Sequence, residues 1–316
     1  MAPAPFALQP GTRVYVAGHR GLAGSAVWRA LGARPGLELV GRTSSQLDLR
    51  DRAGVAAFMQ EVRPDVVVLA AARVGGIKAN RDYPLDFLSD NLQIQVNVMD
   101  AAVAAGVQRL LFLGSSCVYP KFAPQPIREE SLLTGLLEPT NDAYAIAKIA
   151  GLLQVQAVRR QHGLPWISAM PTNLYGPEDN FDPESSHVLA SLIRRYDDAV
   201  RRGDRSVTNW GSGAPRREFL HVDDLAEACL HLLEAYDDPS PVNVGTGTDL
   251  SIAELAGLVA SATGYEGETR WDETYPDGTP RKLLDVSRLT ASGWSARTGL
   301  AEGLVETVSW YRQQKS

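Results

Sequence analysis

Tyr144 and Lys148 stand four residues apart in Tyr144-Ala145-Ile146-Ala147-Lys148. On a helix that spacing sets a phenol and an ammonium one turn apart on the same face. The ammonium favours the phenolate, so the phenol is expected to fall below its reference pKa of about 10. A tyrosine tuned that way gives a proton to a carbonyl oxygen as a hydride reaches the carbon. Ser115 lies upstream in Gly114-Ser115-Ser116-Cys117, just past the apolar run Leu110-Leu111-Phe112-Leu113, and can hold the same oxygen. Taken alone, Tyr-x-x-x-Lys occurs by chance on many helices. Its weight comes from the serine turn before it and a glycine loop near the N-terminus.

The elements that must position these groups alternate between strand and helix patterns. Residues 13–17 (RVYVA) form the kind of short apolar run that makes a buried first strand. Gly18-His19-Arg20-Gly21-Leu22-Ala23-Gly24 follows, then helical spacing over about 25–31. In that context Gly18, Gly21 and Gly24 let the backbone approach a pyrophosphate, and the helix N-terminus faces its charge. The second strand is expected over 37–40. An NAD enzyme usually places an acid at its end for the ribose 2′-hydroxyl. This chain has Gly41-Arg42 there and Arg20 inside the glycine loop, which favours a 2′-phosphate and hence NADP. Two solvated surface arginines are the alternative.

Further along, 53–62 and 87–105 have helical spacing, while 66–71 and 109–113 read as buried parallel strands. Residues 73–84 and 121–140 read as loops over the cleft and the substrate. Tyr144 lies near the start of a helix to about 161, and 165–170 is a further strand. The proline-bounded turn Pro171-Thr172-Asn173-Leu174-Tyr175-Gly176-Pro177 then leaves the first region. The expected fold is α/β: a Rossmann-type doubly wound parallel sheet over 1–172, with a smaller C-terminal α/β substrate domain over 173–316. Residues 219–234 and 242–245 look like a strand end, a helix and a short strand, so 218–245 is expected to return to the first domain. Amphipathic helices are expected over 252–262 and 303–313. Ser251, three residues before Glu254, marks a capping box.

A chain of 316 residues is long enough for a sizeable core. Its net charge of -6 argues against general nucleic-acid binding, so any anionic ligand must be held by local basic residues. Two cysteines, Cys117 and Cys229, make no disulfide framework and suggest a reducing compartment. The start, MAPAPFALQPGTR, lacks the apolar core of a signal peptide and reads as a short frayed tail. No stretch is long and apolar enough to span a bilayer. A cytoplasmic protein without membrane or nucleic-acid partners is expected. No His/Cys/Asp spacing suggests a metal site.

Several strings are more specific: GHRGLAGSA, LGSSCVYP, EPTNDAYAIAKIAG, MPTNLYGPEDNF, SHVLASLIRR, NWGSGAPRREFLHVDD and DGTPRKLLDV. With the serine, tyrosine and lysine above, the chain resembles the extended short-chain dehydrogenase/reductases from end to end. Within them it is similar to the GDP-L-fucose synthase family. That resemblance implies C3/C5 epimerisation of GDP-4-keto-6-deoxy-D-mannose, then NADPH-dependent reduction at C4 to GDP-L-fucose, by a homodimer. It assigns catalysis to Ser115, Tyr144 and Lys148, and the epimerase pair to Cys117 and His187. It places cofactor contacts at Gly18, Arg20, Gly21, Gly24, Arg42, Lys148 and His187, an adenine contact at Asp48, and Pro171, Asn173 and Leu174 along the nicotinamide. Substrate contacts fall at Ser116, Cys117, Arg195, Trp210, Arg217, Asp277 and Lys282. Relatives often carry a second basic residue two positions after Arg42, where this chain has Ser44, so moderate NADPH selectivity is expected.

A 4-keto sugar is acidic at C3 and C5, because both carbons flank the carbonyl. Removing either proton leaves an enolate with charge on the C4 oxygen, which Ser115 and Tyr144 would stabilise. Inversion needs proton removal on one face and return on the other. A thiol and an imidazole, with reference pKa values of about 8.5 and 6.5, bracket neutral pH. Each group has a plainer reading. Cys117 could be a small core filler, His187 a surface residue at a helix start, and Trp210 core. Arg194-Arg195 and Arg216-Arg217 could be solvated faces, but one of each pair suits a diphosphate in an acidic protein. Cys229 reads as core. A sibling reductase of another GDP-4-keto sugar, with partial or no epimerisation, is the competing enzyme reading. A non-catalytic NADP-binding protein on the same fold is disfavoured by the intact tyrosine and lysine.

Overall fold

Six parallel strands form the central sheet of the computed structural model, which describes residues 6–275 and 277–315. The first half of the chain runs β1 (Arg13–Ala17), α1 (Leu22–Gly32), β2 (Glu38–Val40), α2 (Arg52–Val62), β3 (Val66–Leu69), α3 (Ile77–Asp82), α4 (Pro84–Ala105), β4 (Arg109–Leu113), α5 (Asp142–His162) and β5 (Ile167–Pro171). The second half runs β6 (Asn173–Tyr175), α6 (Val188–Arg202), β7 (Ser206–Trp210), β8 (Arg216–Arg217), β9 (Phe219–His221), α7 (Val222–Ala235), β10 (Val242–Val244), β11 (Leu250–Ser251), α8 (Ile252–Thr263), β12 (Glu268–Asp272), β13 (Arg281–Lys282), α9 (Ser287–Ala291) and α10 (Leu300–Gln314). In space the main sheet is ordered β10-β5-β4-β3-β1-β2, so chain order reverses at β1 and β3. That reversal opens a crevice at the carboxyl ends of the strands, where ligands of such sheets bind.

Strands β1, β3 and β4 are apolar on both faces because helices cover both. On one face Val14, Val16, Val66, Val68, Leu111 and Leu113 pack with α1 and α7. On the other, Tyr15, Val67, Leu69, Leu110 and Phe112 pack against α2, α4 and α5. The chain after β5 returns twice: α7 covers the sheet beside α1, and β10 pairs with β5. Leu289 of α9 and Trp294 join that same core. A third apolar cluster gathers α6, α8 and α10 around Tyr196, Leu255 and Leu304. Between the two regions stand the short pairs β6–β9 and β8–β13.

Some boundaries differ from the sequence reading. Helix α1 begins at Leu22 rather than near 25, because Gly21 in an extended conformation already serves as its N-cap. The 73–84 stretch is not all loop: α3 occupies Ile77–Asp82. The first five residues of the Pro/Ala-rich start lie outside the described residues, but Phe6 and Leu8 pack on the sheet core, so the start is tied down from residue 6. The Ser251–Glu254 capping box is present with both of its hydrogen bonds. Among the described residues no helix is long and apolar enough to cross a membrane.

Arg109, at the start of β4, is buried to 1 % exposure. Its guanidinium donates to the carbonyls of Leu233 at 3.1 Å and Leu232 at 3.0 Å, and also to those of Pro165 and Tyr236. Burial lowers its pKa to about 10, which leaves it charged at neutral pH. It closes the C-terminal turn of α7 against β4 and β5. Arg109→Met should cost about 3 kcal/mol, since carbonyls are left buried without donors. Urea unfolding should show the loss as a lower midpoint; an unchanged midpoint would mean the network contributes nothing.

Candidate active site

The crevice at the reversal of the sheet is floored by glycine. Gly18 has φ +88°, and a Cβ there would stand 2.7 Å from Ala71 N at the end of the neighbouring strand. A Cβ on Gly24 would overlap the Gly18 carbonyl outright. Gly21 caps α1 without a side chain, so the first N–H groups of the helix face the crevice unhindered. This cradle fits a dinucleotide pyrophosphate. Arg20 is exposed on the loop, and Arg42 sits at the end of β2 with its guanidinium 5.3 Å from the Phe58 ring centre. His19 packs on Trp28 and beneath Gly41, and its Nδ1 has no hydrogen-bond partner among the described residues. Asp48 lies in the turn beyond β2, where its carboxylate is taken by Arg50 at 2.8 Å. The turn Pro171–Leu174 is fixed from behind: Asn173 Nδ2 donates to the Glu218 carbonyl at 2.8 Å, and Leu174 pairs with Leu220.

Strand β4 ends where the chemistry begins. Its C-terminal end delivers Ser115, whose hydroxyl accepts from Cys117 N at 3.2 Å and caps the 3-10 turn Ser116–Val118. Tyr144 and Lys148 project from α5 toward this turn. Ser115 hydrogen-bonds the Tyr144 phenol. Lys148 is buried, and its Nζ donates to the Leu113 carbonyl at 2.7 Å, 6.0 Å from the Tyr144 ring centre. The expected lowering of the phenol pKa is not found. Burial pushes it up, Cys117 pushes the same way, and only the Ser115 hydrogen bond opposes them. Burial meanwhile brings Lys148 down to about 7, so its charge is too weakly held to override the phenol's desolvation. Tyr144 is therefore kept protonated, which is the form a proton donor requires.

Cys117 does not read as a core filler. Lys282 Nζ donates to its Sγ at 3.5 Å. Burial alone would raise the thiol's pKa, but the Lys282 charge, hydrogen bonds from Ser115 and Lys282, and the Arg217 charge together hold it below the usual thiol range. His187 is the N-cap residue of α6, exposed at the rim of the cleft; crowding by protein and the Lys282 charge lower its pKa and favour the neutral imidazole. Cys229 in α7 is fully buried, with its thiol pushed up to about 12, so it is core as expected.

A line of groups leads away from Cys117. Arg217 feels Cys117, Glu138 and Asp277, so it lies between the thiol and the Asp277 loop. Asp277 accepts from Ser212 N at 3.0 Å and Ser212 Oγ at 2.6 Å. Beyond Ser212, Trp210 is exposed and stacks on Tyr275, with ring centres 4.6 Å apart and an 11° tilt. Arg195 lies 5.8 Å from the Trp210 ring centre and donates to Asn209 Oδ1 at 2.9 Å. Each basic pair divides. Arg194 turns to Asp198 and the Phe181 carbonyl, and Arg216 to Asp249, while Arg195 and Arg217 line the cleft. Ser116 borders a small cavity with Cys117, Glu138, Asn141, Thr279 and Lys282. Among the described residues no cluster of three or more His, Cys, Asp or Glu could hold a metal ion.

Sequence reasoning missed three features of this site. Lys282 was expected only to touch substrate, yet its first contact is the Cys117 thiol. Glu138 pairs with Lys121 at 3.0 Å within the 121–140 loop and ties that loop to the C-terminal part through Thr279 at 3.1 Å. Tyr275 was not singled out at all. Only the Asp277–Lys282 string hinted at these, since contacts across more than a hundred residues leave no local pattern.

Residues 14–245 match the NAD dependent epimerase/dehydratase family. The chain is 56 % identical over 309 residues to the probable GDP-L-fucose synthase 1 of Oryza sativa subsp. japonica, covering 98 % of this chain and 94 % of the relative. Its fold matches a GDP-6-OMe-4-keto-L-xylo-heptose reductase from C. jejuni with a TM-score of 0.93 at 32 % identity, over 98 % of this chain and 100 % of that one. It also matches a GDP-L-fucose synthetase from Naegleria fowleri bound to NADP, with a TM-score of 0.92 at 28 % identity, over 99 % of this chain and 96 % of that one. A glycine cradle at the sheet reversal, a Ser115–Tyr144–Lys148 group beside it and near full-length identity place the chain in the NAD dependent epimerase/dehydratase family, among the GDP-L-fucose synthases.

Proposed function

We propose that the chain converts GDP-4-keto-6-deoxy-D-mannose to GDP-L-fucose, first inverting C3 and C5 and then reducing C4. The observation that carries this reading is Cys117. A reductase needs an oxygen site and a proton donor; this site adds a thiol held toward its anionic form by Lys282, one turn from the serine that binds the ketone oxygen. Cys117 removes the proton at C3 or C5. Ser115 and Tyr144 hold the enolate oxygen, and His187 returns a proton from the opposite face. Reduction comes last, because it destroys the carbonyl that acidifies those positions. A bound nicotinamide supplies the hydride to C4. Tyr144 gives its proton to the C4 oxygen, and Lys148 holds the nicotinamide ribose beside it. Arg217 and Arg195 take the diphosphate, and Trp210 with Asp277 the nucleoside end.

NADPH is the proposed reductant, with Arg20 and Arg42 meeting the 2′-phosphate. The glycine cradle and the uncapped α1 terminus support a dinucleotide there. Two copies are proposed to pair through the outer faces of α4 and α5, where Ile146 and Leu153, seven residues apart and so on one helix face, are exposed.

Incubation with GDP-4-keto-6-deoxy-D-mannose and NADPH in D2O should give GDP-L-fucose carrying deuterium at C3 and C5 by NMR. Cys117→Ser should nearly stop that incorporation, because an alcohol is far less acidic than a thiol, and His187→Gln should slow it. Cys117→Ser should bind NADPH as the parent does, and His187→Gln should still bind it, because the glycine loop and Lys148 are untouched. Unchanged incorporation in both would remove Cys117 and His187 from the epimerisation, and a parent that reduces the ketone without incorporating deuterium would point instead to a sibling GDP-sugar reductase that does not epimerise. In steady-state assays kcat/KM should be higher with NADPH than with NADH by about tenfold, the low end for one charge-assisted contact; a preference for NADH would contradict the roles of Arg20 and Arg42. Sedimentation should give a dimer, and a monomer at micromolar concentration would remove the α4–α5 pairing.

A further inference from the structure

Glu218 is fully buried, between Arg217 of the cleft and Phe219 of β9. Burial raises its pKa against three backbone hydrogen bonds and one from Thr172, yet every hydrogen bond described to its carboxylate comes from an N–H or a hydroxyl group rather than from a cation. Oε1 accepts from Thr246 N at 2.6 Å, Gly247 N at 2.7 Å and Thr246 Oγ1 at 3.3 Å. Oε2 accepts from Leu284 N at 3.0 Å. The Glu218 carbonyl takes Asn173 Nδ2 at 2.8 Å and Thr172 Oγ1 at 3.3 Å. One residue thus joins four segments: the turn after β5, β8, the loop after β10 and the segment after β13.

Those segments carry the groups that act on Cys117. Strand β13 pairs with β8, setting Lys282 opposite Arg217. Leu284, two residues beyond Lys282, is bonded by Glu218 on one side and packed in the core. A second anchor comes from the 121–140 loop, through Leu283 N to Gln125 Oε1 at 2.9 Å and Ile127 N to the Leu283 carbonyl at 2.7 Å. Gly245 leaves room for the clamp: a Cβ there would overlap Glu218 Oε1.

We propose that Glu218 is a positioning residue, whose buried carboxylate fixes β13 and β8 so that Lys282 and Arg217 stay within reach of the Cys117 sulfur. With its side chain fully buried, it would act through these strands rather than on a ligand. The proposal rests on Cys117 as the base of the epimerisation. The groups facing Cys117 are Ser115 and Tyr144 from the β4 turn and α5, Lys282 from β13 and Arg217 from β8. Glu138 and Lys121 lie across the small cavity, and His187 meets Lys282 from α6. Of these, only Lys282 and Arg217 hang on strands that Glu218 holds.

The test is the pH dependence of Cys117 alkylation by iodoacetamide, followed by mass spectrometry. It needs no sugar substrate, and Cys229 does not compete because its buried thiol is pushed up to about 12. A group that favours the thiolate lowers the midpoint, so loosening it must move the midpoint up. Glu218→Gln places an NH2 against backbone N–H donors, and Gly245→Ala displaces the carboxylate while keeping it. Both should raise the midpoint by about one pH unit, the low end for an opposite charge within a few ångströms, because the Gln125 anchor remains. Glu218→Asp should fall between them and the parent. Should one variant fold poorly by circular dichroism, the others carry the test. Thr263→Val, which removes a buried hydroxyl bond within α8, should destabilise without moving the midpoint. An unchanged midpoint in the folded Glu218 and Gly245 variants overturns the proposal. If instead Cys117→Ser leaves deuterium incorporation intact, the functional reading fails while the clamp stands.

Discussion

The buried amine of Lys148 is the contact on which the site depends. A buried ammonium must have acceptors, and among the described residues it has the Leu113 carbonyl at 2.7 Å. That bond ties α5 to the last residue of β4. The same strand end continues into Ser115 and Cys117, and the same helix carries Tyr144 one turn earlier. Serine, thiol, phenol and amine are therefore not four independent placements. They follow from one strand end meeting one helix, both held in the two-faced core of the sheet.

The second constraint is electrostatic. The chain is acidic overall, yet its cleft collects Lys282, Arg217 and Arg195. Desolvation lowers the pKa of both arginines; the hydrogen bonds described for Arg195 and Arg217 go to neutral carbonyls and an amide, while Glu138 and Asp277 favour the Arg217 charge without a direct ion pair among the described residues. Cations paired with carboxylates would have little field left for a ligand. Cations held by dipoles keep theirs. Lys282 spends part of its own on the Cys117 thiol.

Much of this was legible in the sequence, for physical reasons. Val66–Leu69 and Leu110-Leu111-Phe112-Leu113 are unbroken apolar runs because both faces of the sheet are covered, and Ser251 with Glu254 spells a cap that forms. Tyr144 and Lys148 are readable because helical spacing is local. What was not legible is long-range or environmental. The phenol pKa was misjudged because spacing reports proximity and says nothing of desolvation. The start of α1 was placed late because an extended glycine at the N-cap leaves no side-chain signal. Glu218 carries no local signal beside the Arg216-Arg217 pair, and it takes the folded chain to show that Arg216 goes to Asp249, Arg217 to the cleft and Glu218 to the interior.

The central claim is that a single oxygen site, formed by Ser115 and Tyr144, serves both the enolate and the ketone reduction. The most direct measurement is made on Tyr144→Phe, with the 4-keto sugar in D2O and no reductant, following loss of the C3 and C5 protons by NMR. If one site serves both steps, the variant loses reduction and its exchange also slows, by about a hundredfold for one lost oxyanion donor. Exchange at the parent rate in a variant that no longer reduces the ketone would contradict the claim and require a separate site for the enolate.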